Sequence, residues 1–289
     1  MIEITFLGTS GGAPTKDRGM PAIAVKFGPE LLLWDCGEGT QRQMMKYKIG
    51  YGSINAIMIS HPHLDHFLGM YGLLETLKLS LPSPKQIRLI VPHTVDTSLA
   101  QRYKFAEINH IKSGVIYDHH DFTVSAFQVK HCGGSYGFLI KEKDRRKFHE
   151  EKAHSLGLKG KMFREIQKKG SLLVNTKQVL FDEVSYVVPG KKIVYSGDCL
   201  PSDSTVKAAE HAELLIHEAT FDSSMEKDAE ERSHSTITGA AELAKKAKVK
   251  QLIITHISPR YSDVIALTEQ AQKIFKKSTI AFDGLKIGV

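Results

Sequence analysis

Residues 2–7 (Ile-Glu-Ile-Thr-Phe-Leu) alternate with the period of a strand and run into Gly8-Thr9-Ser10-Gly11-Gly12-Ala13-Pro14, a loop by composition. The pattern then predicts strands at 22–27 and 31–35, a helix near 39–47 and a buried apolar strand at 54–59. Farther along it predicts an amphipathic helix at 70–79, a strand at 86–91, a helix near 95–105, and strands near 122–130 and 136–141. A basic stretch then breaks the rhythm, with Gly157, Gly160 and Gly170 placed as in a projecting arm or hairpin. Regularity returns with strand 192–196, helix 204–211, strand 213–217, helix 236–247, strand 250–255, helix 263–276 and strand 279–282. Strands and helices alternate in both halves, so the fold class is α/β.

At 289 residues, 42% hydrophobic and 25% charged, the chain can build one large α/β domain or two small ones. Moderate charge and recurring apolar segments exclude disorder as the main state. No uninterrupted apolar stretch approaches a membrane span, which excludes an integral membrane protein. The first residues carry an acid where a secretory signal needs bases. Cys36, Cys132 and Cys199 are too few, and odd in number, for a disulfide scaffold. These features predict a cytoplasmic protein with structural cysteines. The net charge is +7, and its position matters more than its size. Between Lys141 and Gly170 lie eight Lys, three Arg and five acidic residues, a net of +6. Such a run is either a solvated helix face or a contact for a polyanion.

Histidine is plentiful, 14 against a single Trp, and it is gathered. His61, His63, Asp65 and His66 follow the buried strand 54–59 within six residues. On an extended loop His61 and His63 point the same way, and a tight turn through Asp65 and His66 aims a second pair beside them. Imidazoles and a carboxylate suit zinc, and two pairs suit two metals. Two metals need further ligands, for which His131, Asp198 and His256 are candidates at the ends of strands 122–130, 192–196 and 250–255. Gly197 lets the chain turn to present Asp198. Carboxyl ends of strands are where α/β sheets gather their sites, so one pocket is expected.

The order of these ligands resembles the metallo-β-lactamase superfamily. Further runs narrow the resemblance to ribonuclease Z: Leu7-Gly8-Thr9-Ser10 with Pro14, Lys16 and Arg18; Leu33 to Gln43; His217-Glu218-Ala219-Thr220-Phe221; His234-Ser235-Thr236; and Thr255 to Tyr261. The resemblance implies a four-layer αββα sandwich, one domain over 1–289 with an inserted basic exosite arm at about 141–180. It implies two Zn²⁺ per chain, one held by His61, His63, His131 and Asp198, the other by Asp65, His66, His256 and a bridging Asp198. Asp65 would accept or orient the proton of the attacking water. His234, held by Glu218, would protonate the leaving 3′-oxygen, although Glu218 as a helix cap and His234 as an N-cap are structural alternatives. The implied activity is endonucleolytic removal of the 3′ trailer of precursor tRNA, leaving a 3′-hydroxyl and a 5′-phosphorylated trailer. The alternatives are a small-molecule phosphodiesterase of the same fold and a non-catalytic RNA-binding relative. The arm would grip tRNA and serve the site of the partner subunit in a homodimer, through Arg145, Arg146, Lys147, Lys159, Lys161, Arg164, Lys168 and Lys169, with Lys16 and Arg18 near the acceptor end. Three positions depart from the family: Gly160-Lys161 for a Gly-Pro in the arm, Cys199 for Thr, and Gly19 for Asn.

Overall fold

The computed structural model describes residues 1–289. The chain first lays down six strands of one sheet: β1 (Ile2–Gly8), β2 (Ala22–Phe27), β3 (Glu30–Trp34), β4 (Ile54–Met58), β5 (Ile87–Val91) and β6 (Ala106–His110). Helices α1 (Thr40–Lys46), α2 (Leu64–Phe67) and α3 (Gly69–Ser80) are interspersed. A second sheet begins with β7 (Gly114–Asp118), β8 (Phe122–Gln128) and β9 (Tyr136–Glu142). Then come β10 (Arg145–Phe148), α4 (Glu150–Ser155), α5 (Met162–Lys169), β11 (Ser171–Val174), β12 (Lys177–Leu180) and β13 (Ser185–Val188). The second sheet resumes with β14 (Lys192–Tyr195), β15 (Leu214–Glu218), β16 (Leu252–Thr255) and β17 (Ser278–Ile280), alternating with α6 (Asp203–Ala209), α7 (Glu226–Glu231), α8 (Ile237–Lys246) and α9 (Val264–Ile274). The last strand, β18 (Lys286–Gly288), returns to the first sheet and pairs antiparallel with β1.

The first sheet has the order β18-β1-β2-β3-β4-β5-β6, the second β17-β16-β15-β14-β9-β8-β7. Side-chain alternation gives each sheet two faces. Leu31, Leu33, Ile54 and Ile57 bury in a cluster with Met44 of α1 and Leu73 and Leu77 of α3. Leu32 and Trp34 have the opposite parity, and the Trp34 ring stacks 5.9 Å from Tyr195 and lies 6.3 Å from Phe138, both of the other sheet. Leu215, Leu252 and Ile254 bury with Ala209 of α6, Ala240 and Leu243 of α8, and Leu267 of α9. The layers are therefore helix, sheet, sheet, helix. A one-residue slip of β3 would move Leu31 and Leu33 to the wrong face, so burial on both faces specifies its register.

The chain divides into two compact units, one of Met1–His119, Thr123–Ile140 and Lys191–Val289, the second of His120–Phe122 and Lys141–Gly190. The second unit is built on two two-stranded ribbons, β10–β13 and β11–β12, with α4 and α5 between them. Ala153, Leu158, Ile166, Val174, Val179 and Val184 form its own small core. Within it Arg145, Arg146 and Lys169 pair with Glu142, Asp182 and Glu165. Lys147, Lys159, Lys161, Arg164 and Lys168 are exposed. No helix of the chain is long and apolar enough to cross a membrane.

Two expectations are corrected. The helix expected near 95–105 is a series of turns with one 3₁₀ turn at Ala100–Arg102. There Asp96 accepts the N–H of Ser98 at 2.9 Å, a local bond that competes with helix formation. Strands β6 and β7 were not expected. Both are edge strands, and each lacks the run of fully buried side chains that marks an inner strand.

Candidate metal centre

In the first unit, β3, β4, β14, β15 and β16 end on a common rim, and each delivers a polar side chain to it. Asp35 follows β3, His61 follows β4, Asp198 follows β14, Glu218 closes β15 and His256 follows β16. Three of these turns use the left-handed region: Asp35 at φ 58°, Gly197 at 60° and His256 at 59°. For the two non-glycine residues this conformation costs about 1–2 kcal/mol each, so their surroundings must hold them. Asp35 accepts from Ser60 N (2.7 Å), Ser60 Oγ (2.9 Å), Tyr195 Oη (2.7 Å) and His66 Nδ1 (2.8 Å). His256 is held by close backbone approach. A Cβ on Gly11 would meet its Nδ1 at 2.6 Å, and Gly11 N donates to Ile257 O at 3.0 Å.

Four of the five imidazoles share one polarity, His63 being the exception with Nδ1 turned toward the cluster. His66 Nδ1 faces Asp35, His61 Nδ1 faces Ser60 Oγ at 2.9 Å, His131 Nδ1 faces Ser233 O at 2.8 Å, and His256 Nδ1 faces Thr220 Oγ1 at 2.8 Å. With Nδ1 donating outward, each of these four rings turns an Nε2 lone pair inward, the arrangement that second-sphere oxygens impose on metal ligands. Asp198 Oδ2 lies 3.6, 3.2 and 3.1 Å from Nε2 of His61, His66 and His256. Asp65 Oδ2 lies 3.6 Å from His66 Nε2 and 3.5 Å from His256 Nε2, and accepts Gly12 N at 3.0 Å. His63 Nδ1 is 3.2 Å from His131 Nε2. Tetrahedral zinc with bonds of about 2.0–2.1 Å sets its ligand atoms about 3.3 Å apart, and these spacings scatter around that value.

Two sets of side chains are thus brought together, His61, His63, His131 and Asp198 in one, Asp65, His66 and His256 in the other, with ligand atoms within 4.8 Å of one another. His61 Nε2 and Asp198 Oδ1 are buried without any hydrogen-bond partner. Orphaned polar atoms are costly in a protein interior, and a cation between them removes the cost. The potential is suited to one. Burial, then the neighbouring imidazoles, hold His61 well below its ordinary value. Burial opposes a charge on His66, yet Asp198 and Asp35 outweigh it and raise that ring well above the usual value. The residues fit divalent metal.

Beside the cluster stands a dyad. His234 Nδ1 is 2.9 Å from Glu218 Oε1 and 4.0 Å from Asp198. Burial disfavours its charged form, but the hydrogen bond to Glu218 and that carboxylate's charge push it up to about 9. Neither structural alternative holds. The N-cap of α8 is Thr236, which accepts Gly239 N at 3.1 Å, so His234 does not cap it. Glu218 caps no helix either: its oxygens take the N–H groups of Cys199, Ser235 and Thr220. A groove of about 580 Å³ opens next to His234, lined in part by Lys130, Pro201, Glu226 and Lys246.

Residues 2–280 match the family model described as "Anti-Pycsar protein Apyc1". The ribonuclease Z of Archaeoglobus fulgidus is 40% identical over 301 residues, covering 100% of this chain and 98% of its own. The chain belongs to the ribonuclease Z family. The crystal structure of human tRNase Z, short form, is 29% identical with a TM-score of 0.70, covering 99% of each chain. The metallo-β-lactamase fold protein YhfI from Bacillus subtilis, 19% identical with a TM-score of 0.74 over 99% of this chain and 98% of its own, shares the fold. Like the ribonuclease Z relatives, this chain is a metal-dependent hydrolase.

Other positions singled out in the sequence lie elsewhere. Lys16 is exposed beside Asp17. Arg18 is turned inward, its Nη1 donating to Thr9 Oγ1 at 3.0 Å and Ala281 O at 3.1 Å, so it braces the Gly-rich loop. The three cysteines are free thiols, and Cys36 and Cys199 are buried. Asp35, Ser60, Tyr195 and Thr220 were not anticipated as parts of the site. The signal for Asp35 was present, an acid directly after a buried strand, as for Asp198.

The turn at Gly197 allows a stability prediction. A Cβ there would meet Tyr136 O at 2.9 Å and Ser60 Cβ at 3.1 Å, in addition to the left-handed φ. Gly197→Ala is expected to cost about 2 kcal/mol and lower the thermal midpoint of metal-free protein by roughly 4–8 °C. An unchanged midpoint would show that the turn relaxes freely.

Proposed function

We propose that the protein is a two-zinc endoribonuclease that removes the 3′ trailer of precursor tRNA, leaving a tRNA 3′-hydroxyl and a 5′-phosphorylated trailer. The observation that carries this reading is the convergence of His61, His66 and His256 on Asp198 Oδ2 beside the His234–Glu218 dyad, in a chain similar over its full length to ribonuclease Z. His61, His63, His131 and Asp198 would hold one metal, Asp65, His66, His256 and the shared Asp198 the other. Bound there, the two cations would supply positive charge to the phosphoryl oxygens and lower the pKa of the attacking water. Asp65, whose Oδ2 accepts Gly12 N, would accept that water's proton or orient it. His234 presents Nε2 to the leaving 3′-oxygen while Glu218 holds its Nδ1 proton. The reading includes a cytoplasmic homodimer, supported by family resemblance alone.

The second unit is proposed as the tRNA-binding arm. Its exposed Lys147, Lys159, Lys161, Arg164 and Lys168 would contact phosphates, which confers affinity and salt dependence rather than base specificity. Arg145, Arg146 and Lys169, already paired with acids, would contribute less. Incubating the purified protein with an end-labelled precursor tRNA and mapping the new 3′ end tests the activity. Changing the five exposed bases to Gln should raise KM for the precursor, spare hydrolysis of a small chromogenic phosphodiester, and flatten the salt dependence of RNA binding by roughly 0.7–0.9 in log–log slope per lost phosphate contact. Equal KM and slope would make the charge run a solvated surface. A second reading is a phosphodiesterase of the same fold acting on a small ester. Its mark would be rapid hydrolysis of the small ester with the precursor left intact.

A further inference from the structure

Thr220 follows β15 by two residues and is 9% exposed. Its Oγ1 lies 2.8 Å from His256 Nδ1, 3.0 Å from Glu218 Oε2 and 3.2 Å from His234 Nδ1. Its backbone N–H also donates to Glu218 Oε2, at 2.9 Å. Of the side chains described, it alone hydrogen-bonds to a candidate metal ligand and to both members of the dyad.

Hydrogen-bond chemistry gives these contacts a direction. A hydroxyl has one proton to give, and an ionised carboxylate can only accept, so the Thr220 O–H points to Glu218 Oε2. The oxygen's lone pairs are then left for an imidazole N–H. The nearer ring is His256, whose Nε2 stands 3.1 Å from Asp198 Oδ2 and 3.3 Å from His66 Nε2. A ring that offers Nε2 to a cation carries its proton on Nδ1, and that proton has Thr220 Oγ1 in reach. His234 gives its own Nδ1 proton to Glu218 Oε1 at 2.9 Å. The bonds form one line: His256 Nδ1–H to Thr220, Thr220 O–H to Glu218, and His234 Nδ1–H to the other oxygen of the same carboxylate.

We propose that Thr220 is a positioning residue that serves both halves of the site at once, holding His256 in the tautomer that binds metal and aligning Glu218 behind His234. This rests on the reading that His256 holds metal and His234 delivers a proton. Thr220 touches neither substrate nor metal, so it acts only through these two partners. Its methyl group has no part in the line, and a serine would satisfy the same bonds.

The test compares Thr220→Val and Thr220→Ala, which lose the hydroxyl, with Thr220→Ser, which keeps it. Zinc affinity is read by chelator competition on metal-stripped protein, and kcat and KM for precursor tRNA are read at saturating zinc. The hydroxyl-free variants should bind zinc 10–100-fold more weakly and, once loaded, show a kcat at least about tenfold lower with KM little changed; the Ser variant should stay within about threefold of wild type in both. Wild-type affinity and kcat in the Val and Ala variants would overturn the inference, as would a Ser variant that fails as they do. A loss confined to affinity or to kcat would overturn the joint role. A wild-type protein that binds no divalent metal, or leaves precursor tRNA uncut, would instead overturn the reading on which the inference stands.

Discussion

Asp198→Asn is expected to strip the bound metal and to slow cleavage of precursor tRNA by roughly 10³-fold, about 4 kcal/mol of transition-state stabilisation. The size follows from position. Every other candidate ligand belongs to one set, whereas Asp198 Oδ2 stands within 3.6 Å of His61, His66 and His256 together. Asn is close to isosteric, so packing is retained while the charge that draws cations from both sides disappears. Asp35→Asn is the comparison. It leaves the ligands in place and removes the charge from the acceptor behind His66, for which a loss of about 10–100-fold in metal affinity is expected. Elemental analysis of both proteins, purified without chelator, orders the two effects. Undiminished metal in Asp198→Asn would remove it from the centre of the site.

His234→Ala should lower the cleavage rate by roughly 10²–10⁴-fold and leave the metal content unchanged, as for a lost general acid. The alternative is concrete, because Asp198, His234 and His256 also lie close enough to hold an ion among them. Loss of metal in the variant would make His234 a ligand, and an unchanged rate would remove it from the chemistry. The proton itself gives a second readout. Despite the burial that disfavours its charge, Glu218 pushes His234 up to about 9, so the ring keeps its donatable proton through neutral pH and loses it as pH rises. Glu218→Gln removes the charge that raises this value, so the alkaline limb of the rate profile should move to lower pH. Cations bound at Asp198 act in the same downward direction in both proteins, so the difference between the profiles is the quantity to measure.

The metal loop was legible in the sequence because its logic is local: His61, His63, Asp65 and His66 fall within six residues after a strand whose apolar run is unmistakable. Asp198 and His256 were legible as strand-end residues. What surrounds them was not. Asp35 becomes part of the site through Tyr195, 160 positions away, and Thr220 through His256, 36 positions away. Neither pairing has a periodic signature, and only the packing of two sheets creates it. Arg18 was misleading for the same reason: a cation in a loop reads as exposed until Thr9 and Ala281 O are found against it. The edge strands β6 and β7 escaped because burial writes the pattern on which strand prediction depends, and they are half-buried.

The pairing of β18 with β1 sets Glu3 opposite Gly288 and Thr5 opposite Lys286. In the turn that leads into β18, Asp283 accepts Gly19 N at 2.7 Å, Thr9 Oγ1 at 2.8 Å and Gln43 Nε2 at 2.6 Å. The loop that sets Gly12 on Asp65 is thereby fastened by residues more than 260 positions away. Contacts of such sequence separation form late, because the entropy of closing the long intervening loop is lost before they give anything back. Refolding should therefore proceed from helices and inner strands toward this clasp, so that the chain recovers its secondary structure before it recovers a competent site.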